Sequence, residues 1–233
     1  SSCLSETRKR HYKLSLDGSP DLHLSYGERL VDTYERSKAF HGQLPELTCK
    51  PVFISEGKEF DLLGQEFFKG QPIDESFLLG KVSEQDVTDI LGKLRLALKS
   101  LEVDSNEAAM HSELDDFVKL LSQAKFLGEI DRAIIRESFL PYLREKSASF
   151  IPKVRWSSGD MAARNIILSD DLDFRIIDCE FAQQTHFFDE DWVRLSQYSN
   201  PSFSSLSFFE KRLENTIEFF GPYFWLRQAL LDS

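Results

Sequence analysis

The stretch SSGDMAARNIILSDDLDFRIIDCEFA, Ser157 to Ala182, constrains this chain more than any other. Asp160 and Asn165 stand five apart, two short apolar runs flank a polar turn, and the second run stops at Asp178. Ile166-Ile167-Leu168 reads as one strand, Ser169-Asp170-Asp171 as the turn, and Phe174 to Ile177 as the return strand. A hairpin brings its two ends together, so Asn165 and Asp178 can share a cation that relieves their crowding of negative oxygen. Phosphoryl transfer needs this set: one carboxylate to orient a hydroxyl and take its proton, and an amide oxygen with a second carboxylate to hold Mg²⁺ on the phosphates. The competing reading is an acidic surface loop.

Composition sets the outer bounds. The chain has 233 residues, 41 % hydrophobic and 29 % charged, enough for one large domain or two lobes. A formal charge of −11 argues against nonspecific nucleic-acid binding, though a pocket can still take an anion against the global sign. Cys3, Cys49 and Cys179 are widely spaced and form no CxxC pair, so a reduced, cytoplasmic setting is expected and a zinc site is not. No apolar run approaches the length of a membrane span. The first residue is Ser rather than Met, which fits a processed start or a fragment of a larger multidomain chain.

Along the chain, His11 to Leu16 alternates like a strand and Asp17-Gly18 signals a turn. Tyr26 to Phe40 carries Leu30, Val31, Tyr34 and Ala39 at helical spacing, with Gly42 and Pro45 to end it. PVFIS and EFDLLGQEFF read as strands joined at Glu56-Gly57-Lys58, and KGQPIDE is the expected lobe boundary. Ser83 caps a helix whose Val87, Ile90, Leu91, Leu94, Leu98 and Leu101 share a face, with Asp86 at the capping-box position. Further helices are predicted from about Glu107 to Leu127, from Glu129 past Pro141, from Glu190 to Gln197, and from Phe208 to Phe220. Strands with one helix, then helices, a hairpin and helices again make an α+β chain of two unequal lobes, residues 1–69 and 70–233. The twenty Phe residues, paired at Phe187-Phe188 and Phe219-Phe220, are assigned to core.

The residues SGDMAARN and IIDCEFA, followed by FDEDWVRL, resemble the aminoglycoside phosphotransferase/choline kinase branch of the protein-kinase-like fold. That branch carries His-Gly-Asp, four residues, Asn, a short hairpin, then Ile-Asp-x-Glu/Asp. DMAARN is also close to a tyrosine-kinase catalytic loop, but Asp-Phe-Gly and a segment ending in Ala-Pro-Glu are absent from the sequence. The resemblance implies Asp160 as catalytic base, Asn165 and Asp178 as Mg²⁺ ligands, and Asp191 as a brace for the catalytic loop; the role of Glu180 stays open. It also implies ATP as cofactor, with Gln65 to Phe67 of FDLLGQEFFKGQP at the adenine. Lys13 would stand at the phosphates, paired with Glu28 or Glu35 of the following helix.

Two departures from the family pattern matter. Ser158 replaces the His before Gly-Asp, and the twelve residues before Lys13 contain no glycine for a phosphate-covering hairpin. The small β-rich lobe is therefore expected to be incomplete beside a large, mainly helical lobe. The implied function is an ATP- and Mg²⁺-dependent kinase acting on a hydroxyl of a small molecule or saccharide. The alternative is a nucleotide-binding pseudokinase or scaffold domain of a larger protein.

Overall fold

The computed structural model describes residues 10–15, 21–28, 30–124, 127–147, 152–197, 199–206 and 209. The expected turn at Asp17-Gly18 and nearly all of the expected helix Phe208 to Phe220 lie outside them.

A four-stranded antiparallel sheet comes first, built from β1 (Arg10–Leu14), β2 (Leu22–Gly27), β3 (Pro51–Ser55) and β4 (Asp61–Glu66) in the order β1-β2-β4-β3. β4 lies between β2 and β3, pairing Leu24 with Gly64 on one side and Phe53 with Gly64 on the other. Gly64 is required there, because a Cβ would run into the Phe53 ring. β2 corrects the sequence reading, which placed a helix start at Tyr26. Alternating Leu22, Leu24 and Tyr26 pair along β4, and the helix α1 (Leu30–Gln43) begins only afterwards. Asp61 accepts the Leu30 amide at 2.9 Å, so a carboxylate satisfies the positive end of α1.

α1 turns Leu30, Ser37 and Phe40 inward. Phe40 leans on Trp156 of β7 (Lys153–Ser157) with 6.1 Å between ring centres. Behind α1, Ile176 donates to Leu47 O at 2.7 Å and accepts from Cys49, which ties the α1–β3 connection to the central hairpin. That hairpin, β8 (Ile166–Leu168) and β9 (Phe174–Ile176), pairs through β8 with β5 (Gln71–Pro72). These contacts fix the sheet, α1 and the hairpin as three walls of one cleft.

Helices supply most of the rest. α2 (Ile73–Leu78) and α3 (Glu84–Lys99) follow the crossing segment. α3 has the expected capping box, with Ser83 accepting the Asp86 amide and Asp86 accepting the Ser83 amide. Its Val87, Ile90, Leu91, Leu94 and Leu98 are buried in one core with Phe40, Ile166, Ile176, Val193 and Phe203. A second core joins α4 (Glu107–Gln123) to a π-helical turn (Ile135–Phe139) and α6 (Leu140–Ser147), with α5 (Glu129–Ile134) leading into that turn. A small sheet of β10 (Gln183–Thr185), β7 and β6 (Val103–Asp104) lies between the two cores, and α7 (Glu190–Gln197) and α8 (Pro201–Ser204) complete the description. Sequence periodicity did not single out β5, β6 or β10, since each has three residues or fewer.

Leu94 is fully buried beneath the site. Leu94→Ala is expected to lower unfolding free energy by about 2–5 kcal/mol, read by urea titration. A loss under about 1 kcal/mol would mean that α3 is not part of this core.

Candidate active site

The loop that carries Asp160 begins where β7 ends. Gly159 has φ +72, and a Cβ on it would strike the Phe181 backbone, so the loop can make this turn only with glycine. Asp191 of α7 is fully buried and gathers the loop above it. Its carboxylate accepts the Ser158 amide at 3.2 Å, the Ser158 hydroxyl at 3.1 Å and the Gly159 amide at 3.3 Å. Ser158 thus contributes its hydrogen bond to the brace where the family pattern has His.

Burial pushes the Asp191 carboxyl above the usual carboxylate range, against the nearby Arg155 guanidinium and the hydrogen bonds from Ser157 and Ser158. The folded state therefore holds this proton at pH values where the unfolded chain has lost it. The group's contribution to stability is complete below the unfolded value of 3.8 and declines as pH rises toward the folded one. Asp191→Asn is expected to shrink the stability loss as pH rises above about 4, measured by urea titration at each pH. An identical pH dependence in both proteins would contradict this.

Asp160 lies at the loop's turn, 9 % exposed. Arg194, one turn beyond Asp191 on α7, donates to Oδ1 at 2.5 Å. Asn165 donates Nδ2 to Oδ2 at 3.1 Å and to the Asp160 carbonyl at 2.8 Å, while Arg164 stands 3.6 Å from Oδ2. Both carboxylate oxygens are thereby oriented. With Nδ2 committed, the side-chain Oδ1 of Asn165 is the atom left for a cation, distinct from its backbone carbonyl. Across the hairpin, the Asn165 carbonyl accepts the Ile177 amide at 2.8 Å, and Asp178 follows with φ +56. A non-glycine residue in the left-handed region costs roughly 1 kcal/mol, which the hairpin's hydrogen bonds offset. Asn165 and Asp178 then face one cavity.

That cavity, about 360 Å³, lies between the four-stranded sheet, α1, the 66–70 crossing and the hairpin. Gln65 and Phe67 are among the residues that line it. The Phe67 amide, however, donates to Asp21 O at 3.0 Å and is therefore already engaged. Lys13 does not reach the cavity wall. It is 48 % exposed on β1, 2.5 Å from Asp21 and 4.5 Å above the Phe67 ring. Glu28 is exposed ahead of α1, Glu35 points outward from it, and neither lines the cavity. The strand entering α1 is β2, not β1, so His23 and Ser25 occupy the wall opposite Asp178, with Thr33 and Ser37 from α1 beside them. His23 stacks on His11 at 5.1 Å with rings 7° apart. Burial, then the neighbouring His11, lowers the His23 pKa, partly opposed by Gln65 and by the Asp178 charge. Both cavity thiols are held protonated: burial pushes Cys49 up to about 11 and Cys179 well above its ordinary value. Thiolate chemistry is therefore not what this site offers.

No protein-family model and no curated protein matches the sequence. Solved structures do match. A thermostable mutant of aminoglycoside phosphotransferase APH(4)-Ia superposes with a TM-score of 0.67 at 12 % identity, covering 98 % of this chain and 86 % of the other. The chain has a protein-kinase-like, two-lobed α+β fold. An aminoglycoside-3'-phosphotransferase of type VIII gives a TM-score of 0.58 at 16 % identity, with 94 % and 88 % covered. Choline kinase LicA from Streptococcus pneumoniae gives 0.55 at 11 % identity, with 94 % and 81 % covered. Within this kinase-like fold, Arg194 and the His11–His23 pair are the residues that sequence reasoning missed. Arg194 had a signal, since it falls three residues after Asp191 on a short helix and so shares its face. The imidazole pair had none, because register between β1 and β2 is not readable from either strand alone.

Proposed function

We propose that this chain is an ATP- and Mg²⁺-dependent phosphotransferase acting on a hydroxyl of a small molecule or saccharide. One observation carries the reading: Asn165 and Asp178 line the same cavity, and Asn165 is hydrogen-bonded to Asp160 beside it. Asp160 would orient the acceptor hydroxyl and take its proton, with Arg194 and Asn165 fixing the carboxylate plane. The side-chain Oδ1 of Asn165 and the Asp178 carboxylate fit Mg²⁺, a hard cation satisfied by few protein oxygens plus water and phosphate. Bound Mg²⁺ would neutralise phosphate charge as it transfers. Gln65 and Phe67 would hold the nucleoside end.

Residues 1–69 would form the smaller lobe and 70–233 the larger one, the cleft between them taking the nucleotide. Free Cys49 and Cys179 are consistent with a reducing, cytoplasmic setting. The supporting likenesses include an ATP complex of an aminoglycoside phosphotransferase. A nucleotide-binding pseudokinase is favoured by a different observation: among the described residues, no Lys or Arg lines the cavity. Incubation with γ-labelled ATP, Mg²⁺ and a panel of amino sugars, saccharides and amino alcohols decides between them. Label on an acceptor hydroxyl supports the phosphotransferase. Binding of Mg-ATP without transfer to any acceptor or to water supports the pseudokinase.

A further inference from the structure

The geometry points to a second reactive centre, an acyl-transfer site at Ser105, His186 and Glu113 that attacks small carboxylic esters. These residues come from three separate places in the chain, and none lines the nucleotide cavity. The Ser105 Oγ is 2.8 Å from His186 Nε2, and His186 Nδ1 is 2.6 Å from Glu113 Oε2. A carboxylate can only accept, so Nδ1 carries a proton; in the neutral ring Nε2 is then the acceptor and the Ser105 hydroxyl donates to it. That is the orientation a serine nucleophile requires.

Glu113 is itself held in place. It accepts the His186 amide at 2.9 Å and the Thr185 hydroxyl, so its plane and that of the imidazole are fixed together. Burial follows the same order of roles. The His186 side chain is 8 % exposed, whereas Ser105 is only half-buried and open to a small molecule. Ser105 also immediately precedes the N-cap of the seventeen-residue α4. Asn106 takes the Ala109 amide at 2.9 Å, and the Glu107 and Ala108 amides have no carbonyl partner within the helix. First-turn N–H groups of this kind are the donor class that a developing oxyanion needs.

The reaction balances without a cofactor. Ser105 Oγ bonds to the ester carbonyl carbon as its proton moves to His186 Nε2. The ester C–O bond then breaks, the departing alkoxide takes that proton and leaves as alcohol, and the acyl group remains on Ser105. Water gives a proton to Nε2 and attacks the acyl carbon, which releases the carboxylic acid and returns the hydroxyl to Ser105. Glu113 acts through His186 as a positioning residue.

The test is labelling of the intact chain by a fluorophosphonate probe, in which Ser105 forms an O–P bond and fluoride leaves, with the site located by peptide mass mapping. The expected result is labelling at Ser105 in the folded protein and none after denaturation. His186→Ala and Glu113→Gln should each slow labelling by about 100-fold or more. Added imidazole should partly restore the His186→Ala protein, which a purely structural brace would not allow. Thermal melts separate misfolded variants from folded, unreactive ones, and the wild type alone already decides. Folded wild type that leaves Ser105 unlabelled overturns the proposal and leaves the phosphotransferase reading untouched.

Discussion

Asp160→Asn is expected to leave Mg-ATP affinity within about twofold and to lower phosphoryl transfer by roughly two to four orders of magnitude, the usual contribution of a general base. The amide keeps the volume and two of the contacts but cannot accept a proton. Asp160 does not line the cavity, and its backbone carbonyl still holds Asn165 Nδ2 at 2.8 Å, so binding should change little although the Oδ2 contact to Asn165 is lost. Equilibrium binding of Mg-ATP and single-turnover transfer give the two numbers. Arg194→Met is the companion. It leaves a proton acceptor but removes the 2.5 Å contact that fixes Oδ1, so transfer should fall by about tenfold with ATP binding unchanged. Arg194→Lys should recover part of that loss. Undiminished transfer in Asp160→Asn would remove this carboxylate as the base.

The large features of the fold were written in local patterns. α3 announced itself through a capping box and a buried stripe, and both are present at the expected positions. The hairpin from Ile166 to Ile176 was equally legible, because two apolar runs around a polar turn leave one pairing. The small lobe was not. Leu22 to Gly27 is a strand whose second half overlaps a helical pattern, and its pairing with β4, some forty residues later, decides the conflict. That single strand moved the cavity wall from Lys13 to His23 and Ser25. Lys13 then pairs with Asp21, whose carboxyl it holds below the usual range by hydrogen bonding. A lysine one residue from the end of a strand looks the same in sequence whether it faces phosphate or solvent.

Asp178 carries the sharpest test of the nucleotide site. Asp178→Ala is expected to weaken Mg-ATP binding by about 100-fold, while adenosine binding stays within about twofold. Adenosine has no phosphate for a cation to hold, so it reports only on the nucleoside end near Gln65 and Phe67. Alanine at φ +56 adds strain of roughly 1 kcal/mol, which could loosen the hairpin and mimic lost metal binding. Asp178→Asn separates the two effects, because asparagine tolerates the left-handed region and keeps a carbonyl oxygen while losing the charge. The asparagine variant should therefore melt like wild type yet still lose Mg-ATP affinity, by less than the alanine variant. In EDTA the three proteins should become equivalent toward ATP, apart from the charge itself. Two carboxylates on the cavity wall, Asp178 and Glu66, repel metal-free ATP, so removing one should slightly strengthen its binding. Equal Mg-ATP affinity in all three proteins would take Asp178 out of the metal site, and with it the strongest support for phosphoryl transfer in this cleft.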